Sequence, residues 1–392
     1  MDLEKIQTAL QSLGIGGWLF FDFHNRDHLG LKILSMDLHA MATRRWYYYI
    51  PANGSPLKLA HRVEPTKLDH LPGEKKMYSS WRELQLNLKE ILGRPSKVAM
   101  QFSSMNAIPY VSITDGGTVE LIRSFGHEVV SSADLVQQFE ALLNEKSVKS
   151  HFKAGKLVDA ILDEAFNEVR KSVKSKKYKT EYEIQQFIGR RFKANGLVTD
   201  DLPIVGTNDH PANPHFAPTP RNSRKIKPGD KLLIDLWAKL DKPGAIYYDI
   251  TWCAFIGDNP PEEYVKAFHV VRDARRAAFS FLNERLNAKK PVAGWEVDDI
   301  SRNVVKEAGY GDYFTHRTGH SIGEEVHGNG ANIDNFETQD TRSLVPGCLF
   351  SLEPGIYLEG KMGVRSELNV LIDSSKKAMV TGREQEELVL ID

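Results

Sequence analysis

Apolar positions in residues 2–13 recur with a helical period, and Gly14 closes the run. Residues 16–23 (GGWLFFDF) are aromatic and nearly unbroken, the pattern of a buried strand. Residues 44–60 read as two strands joined around Asn53-Gly54, a dipeptide suited to the positive φ angles of a tight hairpin turn. Ser80 and Glu83 form a capping box that opens a helix to about Leu92, where Gly93 stops it. A strand is predicted at 97–103, Asp115-Gly116-Gly117 turns into 118–122, and a helix covers 132–144. This order of elements predicts an α/β domain with its own small sheet.

The pattern changes from about Asn144. Residues 147–171 form one amphipathic stretch with apolar stations at Val148, Phe152, Leu157, Ile161, Phe166 and Val169. Thr180 and Glu183 make a second capping box, and that helix closes at Asn195-Gly196. Strands are predicted at 229–240, 245–257, 348–358 and 363–372, and helices at 261–286 and 295–308. Helices and strands mix without a strict βαβ rhythm, which favours α+β over a doubly wound sheet. The predicted domains are 1–146 and 147–392.

Composition narrows the function classes. At roughly 150 residues per domain, 392 residues make two to three domains. Fifty-one Lys and Arg stand against 52 Asp and Glu, a balance that argues against a nucleic-acid binder. No window approaches the ~18 apolar residues of a membrane span. The N-terminus is acidic where a signal peptide is basic. Two cysteines, Cys253 and Cys348, make no disulfide framework. The expectation is a cytoplasmic globular enzyme.

The chemistry concentrates in the second half. Asp235 and Asp249 lie inside apolar strand runs, and Glu353 and Glu367 lie in LFSLEPG and VRSELNVLI. Isolated ionised carboxylates there would cost several kcal/mol apiece, roughly. Four of them with His320 require a shared compensator, and a pair of divalent cations suits that donor set. Thr251, on the strand face of Asp249, can hydrogen-bond the cluster, and Arg365 is placed to orient Glu367. His215, His316 and His327 surround the set as proton-transfer or carbonyl-gripping candidates. His316 and His320 have the spacing of a zincin helix, but Arg317 replaces its glutamate and Gly319 weakens a helix. No P-loop, dinucleotide fingerprint or nucleophile elbow is present. Cys253 and Cys348 read as inert core thiols.

In order, Asp235, Asp249 (in DIT), His320 (in TGHSIG), Glu353 (in EPG) and Glu367 (in VRSE) resemble the five metal ligands of the pita-bread metallopeptidases. That family includes methionine aminopeptidase, Xaa-Pro aminopeptidase and Xaa-Pro dipeptidase. Residues 1–146 look like the extra domain of the proline peptidases and of creatinase. The resemblance implies an α+β chain whose C-terminal pita-bread domain carries two divalent metals, manganese first, with cobalt or zinc as alternatives. It implies metal ligation by Asp235, Asp249, His320, Glu353 and Glu367, with Asp249 and Glu367 bridging. A metal-bridging hydroxide would then cleave Xaa-Pro bonds at peptide N-termini, with Glu353 as proton acceptor. His215, His316 and His327 match substrate-binding and catalytic histidines, and Arg365 joins the catalytic set. The implied partners are a peptide with proline second and a second copy of the chain in a homodimer, with no nucleic acid and no membrane. The competing classes are a non-catalytic peptide-binding protein on the same fold and a creatinase-like amidinohydrolase. The sequence departs from the family at Trp237, where D-x-G is common, at Trp252, where arginine often follows D-I-T, and at Leu368, where an acid often follows the last glutamate.

Overall fold

Residues 1–392 are described by a computed structural model, in which the chain divides into Met1–Ala141 and Leu142–Asp392. In the first unit, six strands pair into one sheet in the order β4-β3-β2-β1-β5-β6. They are β1 (Gly17–Asp22), β2 (Trp46–Pro51), β3 (Leu57–His61), β4 (Glu74–Tyr78), β5 (Lys97–Met100) and β6 (Glu128–Ser131). Strand alternation sends Trp18 and Phe20 to one apolar cluster and Leu19 to another. Because both faces are covered, β1 reads as a continuous apolar run. The first cluster takes in α1 (Leu3–Ser12), α2 (His28–Ile33) and α5 (Ala133–Val136). The second takes in α3 (Trp81–Leu92) and α4 (Gly116–Ser124). Residues 118–122 belong to α4, whose cap Asp115 accepts the Thr118 N–H at 2.9 Å. The predicted 132–144 helix is α5 followed by a π-helical turn at Gln137–Ala141.

The second unit opens with α6 (Glu145–Lys174) and α7 (Glu181–Ala194), then β7 (Leu197–Val198), β8 (Ile204–Thr207), β9 (Lys231–Leu240) and β10 (Tyr248–Phe255). There follow α8 (Glu262–Asn287), α9 (Gly294–Glu307), β11 (Leu349–Leu352), β12 (Gly355–Leu358), β13 (Met362–Arg365), β14 (Leu368–Ile372), β15 (Ala378–Val380) and β16 (Val389–Leu390). One sheet runs β16-β10-β9-β7 with β8 also on β9, a second is β11-β14-β15, and β12 pairs with β13. On β9, Ile234 and Leu236 join α6 and α7 in one cluster, whereas Leu233 packs with Phe268 and Val271 of α8 in another. Asp235 shares the Leu233 face by the two-residue period of the strand. No helix is long and apolar enough to cross a membrane.

Two predicted strands are each split in two, and each break carries a glutamate. Residues 348–358 divide into β11 and β12 at Glu353-Pro354, and 363–372 into β13 and β14 at Ser366-Glu367. The Glu353 N–H goes to the Thr318 carbonyl at 2.7 Å, and the Glu367 N–H to the Thr251 carbonyl at 3.3 Å. Both backbones therefore leave their own ladders at the residue whose side chain turns into the site.

Candidate metal centre

The β9–β10 register sets Asp235 opposite Thr251 and Asp249 opposite Trp237. The two carboxylates thus share one face on a diagonal, two residue pairs apart. Across from them, the hydroxyl of Thr251 donates to Glu367 Oε2 at 2.7 Å and accepts from Arg365 Nε at 3.0 Å. Asn369 on β14 binds β10 from the second sheet, accepting the Asp249 N–H at 3.0 Å and donating back to the Asp249 carbonyl. His320 comes from an irregular segment held to β11: its N–H donates to Ser351 Oγ at 2.9 Å, and the Ser351 hydroxyl donates to Glu353 Oε1 at 3.1 Å. Gly319 permits this approach, since a Cβ there would collide with the Ser351 carbonyl.

Asp249, His320 and Glu367 each offer a ligand atom, and these atoms lie within 4.8 Å of one another. His320 Nε2 is 3.3 Å from Glu353 Oε1 and 3.5 Å from Asp249 Oδ2. Asp235 is held by Arg365 Nη2, whose Nε stands 3.8 Å from Glu353 Oε2. Two of the four carboxylates therefore lie against one guanidinium. Burial pushes Asp235 up to about 6, with Asp249 adding to the rise and Arg365 opposing it. It pushes Asp249 up to about 7, again against Arg365. Burial also raises Glu353, and it raises Glu367 well above the carboxylate range with help from the other three acids.

Two observations test whether cations fit. Asp249 Oδ1 and Glu367 Oε1 are buried without any hydrogen-bond partner. A carboxylate oxygen in that state needs a positive partner, a proton or a cation. His320 Nδ1 faces the Ser321 carbonyl at 3.1 Å, so that nitrogen is the donor. Burial lowers its pKa, which favours the neutral ring. Its Nε2 then aims a lone pair at two carboxylates, an arrangement that is repulsive until a cation lies between them. The donor set, hard oxygens plus one imidazole, suits divalent metals.

The model of metallopeptidase family M24 matches residues 149–374, more than half of the chain. The chain belongs to that family. An uncharacterized peptidase of Staphylococcus saprophyticus is 30% identical over 275 residues, covering 68% of this chain and 70% of that one. A solved dipeptidase from Mycobacterium ulcerans aligns over 99% of this chain and 96% of its own at 24% identity, with a TM-score of 0.72. An X-prolyl aminopeptidase from Caenorhabditis elegans, described as a cytosolic enzyme with a di-nuclear active site, aligns over 97% of this chain and 61% of its own at 18% identity, with a TM-score of 0.67. These likenesses show the fold: an N-terminal domain followed by the pita-bread catalytic domain. The M24 chain is a metallopeptidase, and its family uses divalent metals.

The histidines take different places in this M24 metallopeptidase. His327 is exposed at the rim with its ring edge-on to His320, centroids 4.4 Å apart. Desolvation against its neighbours, followed by the charges of His320, Arg317 and His215, lowers its pKa. His215 is exposed nearby on the loop before β9. His316 does not touch the carboxylates. Its Nδ1 donates to the Arg317 carbonyl at 2.7 Å, and Nε2 accepts from the Tyr357 hydroxyl at 2.6 Å. Tyr357 in turn accepts from Arg365 Nη1 at 3.0 Å. Burial brings His316 down to about 3, so the ring is neutral. Arg365 makes its direct ion pair with Asp235 and meets Glu367 only through the Thr251 hydroxyl, because β13 ends at Arg365 and the chain turns before Glu367. The residues that the sequence reading missed are Tyr357, Ser351 and Asn369. Tyr357 sits in GIYL, where it counts as one more apolar strand position.

Proposed function

We propose that this metallopeptidase holds two divalent cations, manganese foremost, and hydrolyses the bond before proline near the N-terminus of a peptide. The observation that carries the reading is the pair of buried, partnerless carboxylate oxygens on Asp249 and Glu367 beside the His320 lone pair. Asp235, Asp249, His320, Glu353 and Glu367 would hold the cations. When bound, such cations polarise a carbonyl and lower the pKa of water. The chain supplies the rest. Glu353, raised by burial and fed by the Ser351 hydroxyl, is suited to take and return a proton. Arg365 fixes Asp235 and, through Tyr357, the neutral His316. His327 packs edge-on to His320, and both it and His215 are exposed, where a substrate carbonyl can be gripped. Proline specificity is supported by the resemblance and by the X-prolyl aminopeptidase whose fold this chain shares. A homodimer in a reducing cytoplasm belongs to the same reading, supported by the resemblance and by two buried free thiols.

Chelator-stripped protein assayed on an Xaa-Pro dipeptide and an Xaa-Pro-Yaa tripeptide, with and without manganese, tests this. Cleavage restored by metal is expected, and the preferred length separates dipeptidase from aminopeptidase. Turnover that survives stripping would overturn the mechanism. Two bound metals with neither peptide cleaved would overturn the substrate.

A further inference from the structure

Helix α8 sends Arg275 into the interior behind the carboxylates, where its side chain is 1% exposed. Nη1 donates to Ser366 Oγ at 2.6 Å, and Nη2 to the Gln385 carbonyl at 3.1 Å. Glu386 Oε1 lies 3.5 Å and Glu384 Oε2 3.8 Å from Nη2, while Nε has no partner. Ser366 is the residue between Arg365 and Glu367, at the break between β13 and β14. Its N–H reaches the carbonyl of Pro354, the residue after Glu353, at 3.4 Å. Gln385 is pinned as well: its amide accepts the Cys253 N–H at 2.8 Å and donates to the Cys253 carbonyl at 2.6 Å. Cys253 follows Asp249 by four residues on β10, and its thiol donates to the Arg365 carbonyl at 3.3 Å.

One guanidinium thus holds the Glu367 segment directly at Ser366, and reaches the Asp249 and Glu353 segments through Gln385 and the Ser366 N–H. None of its contacts is to a carboxylate of the cluster. Burial lowers its pKa to about 10, so it remains charged at neutral pH at a desolvation cost. An apolar side chain of similar volume would fill the same space without that cost, so packing does not account for an arginine here. What an apolar side chain cannot provide is a set of directed hydrogen bonds that fix the breaks in β11–β12 and β13–β14.

We infer that Arg275 is a positioning residue for the metal centre, holding the Asp249, Glu353 and Glu367 segments in register through Ser366 and Gln385 and so setting how tightly the cations bind. The inference rests on the dinuclear reading above. It is tested by calorimetric titration of Mn²⁺ alone into chelator-stripped wild type, Arg275→Lys, Arg275→Met and Ser366→Ala, with the thermal midpoint of each stripped protein and kcat and KM of each loaded one. Arg275→Met is expected to bind Mn²⁺ about 10- to 100-fold more weakly, with kcat falling and KM nearly constant. Arg275→Lys should recover part of the affinity, and Ser366→Ala should lose about as much as the Ser366 link contributes. If Arg275→Met does not fold, the lysine and alanine variants decide. A lowered thermal midpoint with wild-type Mn²⁺ affinity in the folded variants would overturn the inference and leave the dinuclear reading intact. Folded wild type that binds no Mn²⁺ would overturn that reading, and this inference with it.

Discussion

The N-terminal sheet and the metal centre both bury acids among apolar side chains, yet they treat them in opposite ways. Asp22 and Asp27 are 1% and 3% exposed. Asp22 accepts the N–H groups of Asn25 and Asp27, one on each oxygen, both at 3.0 Å. Asp27 caps α2 by accepting the Gly30 N–H at 2.8 Å, and Gln101 Nε2 supplies its other oxygen at 2.8 Å. Every oxygen of that pair has a donor. In the second unit, Asp249 Oδ1 and Glu367 Oε1 have none, and the remaining buried carboxylate oxygen without a hydrogen bond, Glu386 Oε2, faces Arg276 Nη2. The pKa does not separate the two regions, since desolvation pushes Asp27 up to about 7 just as it does Asp249. The donor count separates them. The acids Asp22 and Asp27 are satisfied by the scaffold itself, whereas Asp249 and Glu367 each keep an open oxygen where the proposed cations would lie.

Asp249→Asn is the largest break of that contrast. It removes charge that the cations require, so kcat/KM should fall roughly 10³-fold, about 4 kcal/mol of transition-state stabilisation. The stripped variant should melt above stripped wild type, because an uncompensated buried charge has gone. Asp27→Asn should do the reverse, costing about 1–3 kcal/mol of stability with kcat/KM unchanged. Steady-state kinetics and melts of the stripped proteins read all four quantities. Asp249→Asn with full activity and a lowered melt would make Asp249 a second Asp27.

Two buried groups, Asp27 in the first unit and His151 in the second, answer pH with opposite signs. The folded pKa of Asp27, about 7 against 3.8, means that the fold keeps a proton the unfolded chain releases. The contribution of Asp27 to stability therefore falls as pH rises from about 4 to about 7, by at most about 1.4 kcal/mol per unit crossed. His151 is the mirror case. Burial lowers it from 6.5 to about 4, and it donates to the Tyr247 carbonyl while accepting from Thr381. The contribution of His151 to stability is intact above about 6.5 and is lost as pH drops toward 4. Denaturant titrations across this range should show the alkaline slope flattened in Asp27→Asn and the acid slope flattened in His151→Asn. An unchanged slope in either variant removes that residue from the account.

How much of this was legible in the sequence follows from how local each signal is. The capping boxes at Ser80 and Thr180 appear as read, because four residues contain the whole device. The long α6 and the β9–β10 hairpin appear too, since period and length decide them. The four acids and His320 stood out because ionisable residues interrupt apolar runs. The short elements α2, β4 and β6 were missed: β4 (EKKMY) lacks apolar alternation, and its pairing with β3 is parallel and non-local. Arg365 was assigned to Glu367 from two-residue spacing on an unbroken strand, and the break at Ser366 undoes that premise. Tyr357 gave no signal at all, because its hydroxyl matters only once β12, His316 and Arg365 come together.

A smaller effect sharpens the comparison within the site itself. Trp237 stands directly across from Asp249, is half-buried, and leaves its buried indole N–H without a partner. Where the resembled family often has glycine, this chain places an indole on the face of the carboxylates. Trp237→Gly should enlarge the space beside Asp249 and shift kcat/KM among Xaa-Pro substrates with small and bulky Xaa by about tenfold, with Mn²⁺ affinity retained. A uniform change across the series would leave Trp237 as wall and not as selector.

The smallest effect asks whether identical local devices in the two units remain local. Ser80 and Thr180 accept the N–H groups of Glu83 and Glu183, each at 3.2 Å, and both glutamates reach back to the cap N–H. Replacing either cap by alanine should cost about 1 kcal/mol. Thr180 has a further link, because the next residue, Glu181, is fully buried and binds Thr207, His210 and the Arg224 N–H. His210 heads the loop that reaches His215, with its ring stacked on Phe216 at 4.1 Å. Ser80→Ala should therefore move the melt alone. Thr180→Ala should move it by a similar amount and leave KM unchanged if Glu181 holds its three partners without the cap. A raised KM at constant Mn²⁺ affinity would show that the α7 N-terminus positions the His215 loop, and that the second unit spends its capping box on the substrate as well as on the helix.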